Sequence, residues 1–270
     1  MCLTIALINE VFFAGDGESR LRARLVEARS RGATLALLPE LPLNPWSPAT
    51  KDVHDADAEP PEGPRHRVLS GAALEAGLGL VGGAIVRDPE TGRRHNTALV
   101  FDADGRLVAT YRKLHLPEED GFWETSHYEP GDRPPEVISA FAMPLGIQIC
   151  SDANRPEGSH LLASAGAEVI LVPRATEART WERWKLVLRA NAITSAAYLL
   201  SVSRPDAALR IPLGGPSAAI DPHGDVVMES SAPLAIVTLR RASVQAARVA
   251  YPGYLPVRSE LYARGWARRP

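Results

Sequence analysis

The sequence predicts a layered α/β fold built on mixed sheets, and three observations lead there. Continuous apolar runs, such as ATLALLP at 33–39 and AEVILVP at 167–173, read as strands buried on at least one full face. Stretches with helical spacing alternate with these runs. Several other strands follow one another directly through tight turns, as hairpin partners do and helical crossovers do not. No linker, low-complexity block or short repeat interrupts the 270 residues, so 1–270 reads as a single domain.

The elements follow in order. Residues 3–9 form the first strand. A helix spans 18–31, with Asp16 placed as N-cap, Leu21, Leu25 and Ala28 at helical spacing, and Gly32 where a C′ glycine belongs. The second strand ends at Pro39-Glu40. The Pro-rich, polar residues 41–62 read as a long loop, and 65–76 as a helix stopped by Gly77. Three strands come next in close succession, with Asp-Ala-Asp-Gly at 102–105 as a hairpin turn. Residues 114–135 read as a second long loop. Strands near 136–140 and 145–150 lead to Cys150, and a helix starts near Arg155-Pro156-Glu157, where proline suits a first turn. A strand at 167–173, an amphipathic helix at 180–198 and a strand at 199–203 follow. A hairpin turns around Pro222-His223-Gly224-Asp225, and a last core strand at 234–239 leads to a short helix and an aromatic tail.

Composition excludes several function classes. Thirty basic residues against 32 acidic ones give a net charge of −2, so no electrostatic feature points to nucleic acid or an anionic membrane surface. No apolar run reaches the roughly 18 residues of a membrane span. The N-terminal MCLTIALINE lacks the basic region and cleavage site of a signal peptide and reads as a strand. Cys2 and Cys150 are the two cysteines, which excludes a disulfide framework and favours a reducing, cytoplasmic setting.

Three familiar motifs are absent or out of context. Gly77-Leu78-Gly79-Leu80-Val81-Gly82 matches G-x-G-x-x-G, but it lies between a helix and a strand, the reverse of the order that presents a helix N-terminus to a pyrophosphate. The seven histidines form no zinc-binding spacing, so no metal is expected. There is no G-x-S-x-G nucleophile elbow.

Three ionisable residues stand where buried strands stop: Glu40 after LALLP, Lys113 after LVATYR and Cys150 after LGIQI. Each alone has an ordinary structural explanation, the cysteine as a small core residue above all. Together they suit one chemistry. A thiol is a nucleophile as thiolate, a lysine cation stabilises that anion, and a glutamate accepts its proton. The same lysine and the backbone N–H after the cysteine can hold an oxyanion. Acyl transfer then needs neither histidine nor a cofactor.

The segments LLPELPLNPW, YRKLHLPEEDGFWETSHYEPGD and GIQICSDANRPEGSHLLASAGAEVILVP resemble the nitrilase superfamily of carbon–nitrogen hydrolases, and the similarity covers nearly the whole chain. The resemblance implies an α-β-β-α four-layer sandwich with mixed sheets, paired into a homodimer to which the tail at about 241–270 contributes. It implies Glu40 as general base, Lys113 as catalytic lysine, Cys150 as nucleophile and Glu124 as a second glutamate orienting Lys113 and the substrate amine. Cys150 is then expected on a strained turn, with the Ser151 N–H facing the oxyanion and Asp152 organising the turn through backbone hydrogen bonds. Cys-Ser-Asp, in place of the Cys-Trp-Glu of true nitrilases, resembles the amidase and N-carbamoyl-amine branches. The expected substrate is therefore a small amide or carbamoyl compound. A nitrilase, an acyltransferase and a non-catalytic binding module on the same scaffold are the alternatives. Specificity is expected from the Trp46 and Trp123 regions and from the loop after VILVP, where Arg174 either grips a substrate carboxylate in bidentate fashion or pairs with Glu177 or another local acid.

Overall fold

The structure is a computed structural model that describes residues 1–206 and 209–268. In chain order its elements are β1 (Cys2–Ile8), α1 (Gly17–Ser30), β2 (Leu35–Leu37), β3 (Ala58–Glu59), α2 (Pro64–Ala76), β4 (Gly79–Arg87), β5 (Arg94–Phe101) and β6 (Leu107–Arg112). Then come β7 (Glu118–Glu119), β8 (Phe122–Trp123), α3 (Glu124–His127), β9 (Leu145–Ile147), α4 (Pro156–Ser164), β10 (Val169–Arg174), α5 (Trp181–Ser195) and β11 (Tyr198–Ser203). The chain finishes with β12 (Ser217–Ile220), β13 (Val226–Ser230), β14 (Leu234–Arg240), α6 (Arg241–Val249) and α7 (Ser259–Trp266).

Two mixed sheets form. One runs β14-β1-β2-β4-β5-β6, with β3 alongside β4, and the other runs β13-β12-β11-β10-β9. In each, three parallel strands joined through helices, β1-β2-β4 in the first and β9-β10-β11 in the second, continue on one side into antiparallel strands, β5-β6 and β12-β13, and β14 pairs antiparallel with β1 on the other side of the first sheet. The central crossovers turn on left-handed residues at the helix ends, Gly77 (φ 57°) after α2 and Ala196 (φ 45°) after α5.

Burial on both faces explains the unbroken apolar strands. Alternate residues along each strand point between the sheets. There Ile5, Leu7, Leu35, Leu37 and Val100 of the first sheet share one core with Leu145, Ile147, Leu171, Leu200 and Val202 of the second. The other face of the first sheet, through Ala6, Ile8, Ala36 and Leu80, meets Leu21, Leu25 and Ala28 of α1 and Leu69, Ala72 and Ala73 of α2. The other face of the second sheet, through Ile170, Val172 and Leu199, meets Leu162 of α4 and Trp181, Leu188 and Ala192 of α5. The layers are therefore helix, sheet, sheet, helix.

Local expectations differ from the structure in five places. Asp16 stands at the N-cap position of α1 but makes no side-chain cap, its carboxylate being turned to Arg20 instead. The 41–62 loop contains β3 and two 3-10 turns, and the 114–135 loop contains the β7–β8 hairpin and α3. The strand expected at 136–140 is reduced to one bridge, Ile138 to Leu145, and β9 is three residues long. After Cys150 the chain makes a 3-10 turn, Cys150–Asn154, before α4 begins at Pro156. Among the described residues, no helix is long and apolar enough to cross a membrane.

The β5–β6 turn is the predicted hairpin. Asp102 Oδ1 accepts the N–H groups of Asp104 and Arg106, both at 2.9 Å, and Gly105 adopts φ 74°. A Cβ on Gly105 would lie 2.7 Å from the Ser70 carbonyl of α2. Gly105→Ala is therefore expected to lower stability by about 1–3 kcal/mol, read as a fall in the urea midpoint at unchanged slope. An unchanged midpoint would show that the turn relaxes freely.

Candidate active site

Strand direction brings the predicted residues together. β2, β4 and β6 point the same way in one sheet, as do β9 and β10 in the other. Glu40, Lys113, Cys150 and Ala175 all lie just beyond the C-terminal ends of such strands. β5 runs the opposite way, so its early residue Asn96 reaches the same end, and the Asn96 carbonyl accepts the Lys113 N–H at 2.9 Å.

Glu40 is 2% exposed and every hydrogen bond to its carboxylate comes from a buried partner. Oε1 accepts Asn96 Nδ2 at 2.7 Å and Lys113 Nζ at 2.8 Å, and Oε2 accepts the Ala175 N–H at 2.9 Å. The chain bends sharply after it, with Leu41 at φ 48°. The buried Arg204 holds this bend by donating to the carbonyls of Glu40 at 3.3 Å and Asn44 at 2.8 Å, and to that of Leu41. Its guanidinium lies over the rings of Phe13 and Trp46, 5.4 and 5.7 Å from their centroids.

Lys113 has no exposed surface. Its Nζ also donates to both oxygens of Glu124 at 2.7 Å, so one ammonium bridges two buried carboxylates. Burial opposes its charge, but Glu124 and Glu40 outweigh burial and hold the lysine above its ordinary range. Burial also acts on Glu124: together with the charge on Glu40 it lifts the carboxyl from 4.5 to about 8 despite Lys113. The lysine stays charged, and the readily held extra proton belongs to Glu124.

Cys150 is buried at φ 48°, a left-handed conformation costly for a residue with a Cβ. The chain enters this strained turn from Ile149 and leaves it through the 3-10 turn. Sγ donates to the Ala175 carbonyl at 3.4 Å. Burial, then the negative charge on Glu40, push the thiol well above its ordinary pKa, with Lys113 pulling the other way. The resting thiol is thus protonated and needs a base. Ala175 touches both partners, Glu40 through its N–H and Cys150 through its C=O.

Asp152 ties the two sheets at this end. Its Oδ1 accepts the N–H groups of Leu114 at 3.1 Å and His115 at 2.9 Å and faces His115 Nδ1 at 2.8 Å. Its Oδ2 accepts the Tyr111 hydroxyl at 2.8 Å and the Ile149 N–H at 3.1 Å. One carboxylate therefore fixes both the residues after Lys113 and the entry to the Cys150 turn. Ser151 adds a second tie, its hydroxyl donating to the His115 carbonyl.

The structure brings Glu40, Lys113, Glu124 and Cys150 into one buried cluster. The residues expected around substrate are more dispersed. Trp46 is buried, donates Nε1 to the Gly121 carbonyl at 2.9 Å and meets Phe122 edge-on. Trp123 is half-buried beneath the Lys51 ammonium at 4.0 Å. Asp152 spends its oxygens on the protein, so its place is structural and not substrate-facing. Arg174 meets neither expectation. It is wholly buried with all three nitrogens bonded to the protein, which leaves no fork for a carboxylate, and Glu177 pairs instead with Arg179.

Sequence reasoning misses Asn96, Ala175 and Arg204. Asn96 and Arg204 carry a signal, a polar group at the edge of an apolar strand. Ala175 contributes through its main chain, which no side chain advertises.

Two outcomes are expected. Asp152→Ala leaves several buried donors unpaired and should cost about 3–5 kcal/mol in urea unfolding; a cost near zero would mean that water replaces the carboxylate. Because Glu124 binds its proton more tightly folded than unfolded, its contribution to stability is present below about 4.5 and lost as pH rises towards about 8. The fall in melting temperature of the native chain over that window should therefore be shallower in Glu124→Gln, and parallel curves would reject the shift.

Comparison with known proteins places this geometry in a family. The carbon–nitrogen hydrolase family profile matches residues 7–249. Omega-amidase NIT2 of Homo sapiens is 30% identical over 261 residues, spanning 92% of this chain and 91% of that protein. Among solved structures, Nit3 of Saccharomyces cerevisiae, a member of branch 10 of the nitrilase superfamily, superposes with a TM-score of 0.79 at 25% identity, over 96% of each chain. A carbon–nitrogen hydrolase from Helicobacter pylori G27 shares the fold over the full length of both chains, with a TM-score of 0.87 at 20% identity. The chain belongs to the carbon–nitrogen hydrolase family of the nitrilase superfamily and is a C–N hydrolase.

Proposed function

We propose that this protein hydrolyses the C–N bond of small linear carboxamides through a thioester on Cys150, with N-carbamoyl amines as the second substrate class. The observation that carries the reading is the Glu40–Lys113–Glu124 cluster beside a thiol held on a strained turn. Likeness to an omega-amidase supports amide over nitrile.

Glu40 takes the thiol proton as sulfur attacks the carbonyl carbon. Lys113 Nζ and the Ser151 N–H stabilise the resulting oxyanion. Glu40 then gives the proton to the leaving nitrogen, the C–N bond breaks, and ammonia or an amine departs. A water, deprotonated by Glu40, attacks the thioester; the acid leaves and the thiol is restored. Glu124 keeps Lys113 aimed at the oxyanion site. Trp46 and Trp123 shape the approach of the substrate. No cofactor takes part in these steps.

The reading extends to a homodimer working in the cytoplasm, with the 241–270 segment in its interface. Exposed Tyr251, Tyr254, Leu255, Leu261, Tyr262 and Trp266 support that role for the segment.

Intact-protein mass spectrometry during turnover of an amide and carbamoyl panel tests the chemistry. The native chain should release ammonia or amine and show a transient acyl adduct on Cys150, Glu40→Gln should lose both adduct and turnover, and Cys150→Ala should lose turnover by at least about a thousandfold, the scale of losing a catalytic nucleophile. Near-native turnover by Cys150→Ala would sink the scheme. Acyl transfer to an added amine, in place of acid release, would favour an acyltransferase.

A further inference from the structure

Arg174 is a buried cation that the proposed steps do not use. It ends β10 with no exposed surface, and its ring partner is Trp181, 4.8 Å from the guanidinium carbon. Nε donates to Ser201 Oγ at 2.9 Å, Nη1 to Thr176 Oγ1 at 2.6 Å, and Nη2 to the Pro216 carbonyl. All three acceptors are neutral. Among the described residues, no carboxylate forms a salt bridge with it. A buried charge without a counter-charge is costly, and an apolar side chain would fill the same place more cheaply.

What the charge and the fork hold is the next residue. Arg174 grips Thr176 on one side of Ala175 and, through Ser201 and Pro216, strand β11 and the residue that leads into β12. Ala175 in turn accepts the Cys150 thiol on its carbonyl and gives its N–H to Glu40. Burial lowers the Arg174 pKa to about 10, and a thiolate formed at Cys150 draws it up again.

We propose that Arg174 is a positioning residue for the nucleophile: it locks the 174–176 segment so that Ala175 aligns thiol and base, and its buried positive charge, balanced by no carboxylate among the described residues, favours the Cys150 thiolate. The proposal rests on Cys150 being the nucleophile. It gives Lys113 and Arg174 separate tasks, the first at the oxyanion and base, the second at the 174–176 segment that accepts the thiol.

The test is alkylation of Cys150 by iodoacetamide as a function of pH, in a Cys2→Ser background because Cys2 is exposed. Arg174→Met should move the alkylation midpoint up by about one pH unit or more, equal to a tenfold loss of thiolate at a fixed pH below it. It should also lower kcat with KM little changed. Arg174→Lys retains the charge without the fork and should keep most of the midpoint while losing part of kcat. Thr176→Val, which removes one anchor and is nearly isosteric, should move kcat in the same direction by a smaller factor and serves if Arg174→Met does not fold. A folded Arg174→Met, or Thr176→Val in its place, with native midpoint and kcat would overturn the proposal. The amidase reading fails separately: a native chain inert to the amide and carbamoyl panel, with the midpoint still shifted in Arg174→Met, would leave Arg174 acting on the thiol of a different reaction.

Discussion

Two carboxylates buried around a single ammonium are the constraint on which the rest of this molecule turns. Lys113 cannot be placed in the interior without Glu40 and Glu124, and a buried carboxylate without a counter-charge is just as costly. The three residues come from the ends of β2 and β6 and from α3, so satisfying them fixes how the first sheet and the β7–β8 hairpin meet. Their shared charge leaves the cluster one proton short of balance. A group of this kind can give and take a proton without leaving its hydrogen bonds, as general acid–base chemistry on a buried thiol requires.

Main-chain groups do much of the holding. Ala175 touches base and thiol, Asp152 gathers N–H groups from both sheets, and Arg204 spends its donors on the carbonyls around the bend after Glu40. Polar side chains clamping backbone at strand ends keep a site rigid even though it is built on loops. The conformational cost sits at Leu41 and Cys150, both in left-handed backbone, and each lies beside one of these clamps.

The long elements are legible in the sequence because burial on both faces leaves apolar runs and burial on one face leaves helical spacing. Gly32 and Gly77 mark helix ends because left-handed backbone is needed there. β3, β7 and β8 are not legible: two residues each, they are made by tertiary packing and carry no period. Glu40, Lys113 and Cys150 stand out as ionisable groups closing apolar strands. Arg174 stands out too, yet its direction does not. An arginine at a strand end reads equally as facing a ligand or facing the protein, and only the positions of Ser201, Thr176 and Pro216 decide between them. Asp152 is legible as an organiser of its own turn, but its reach to Leu114 and His115 depends on the other sheet.

The left-handed residues that end the helices have a consequence for how such a chain can diversify. Gly32, Gly77, Gly166 and Ala196 each reverse the chain into a following parallel strand, and so all four lie at the N-terminal edges of the sheets. The reacting groups stand at the opposite edge. The molecule thus has two poles, one where the backbone turns and one where bonds are broken. Lengthened turns, fusion points or grafted peptides at the first pole lie a full strand length from the second, so shape and chemistry can drift independently in descendants of this sequence.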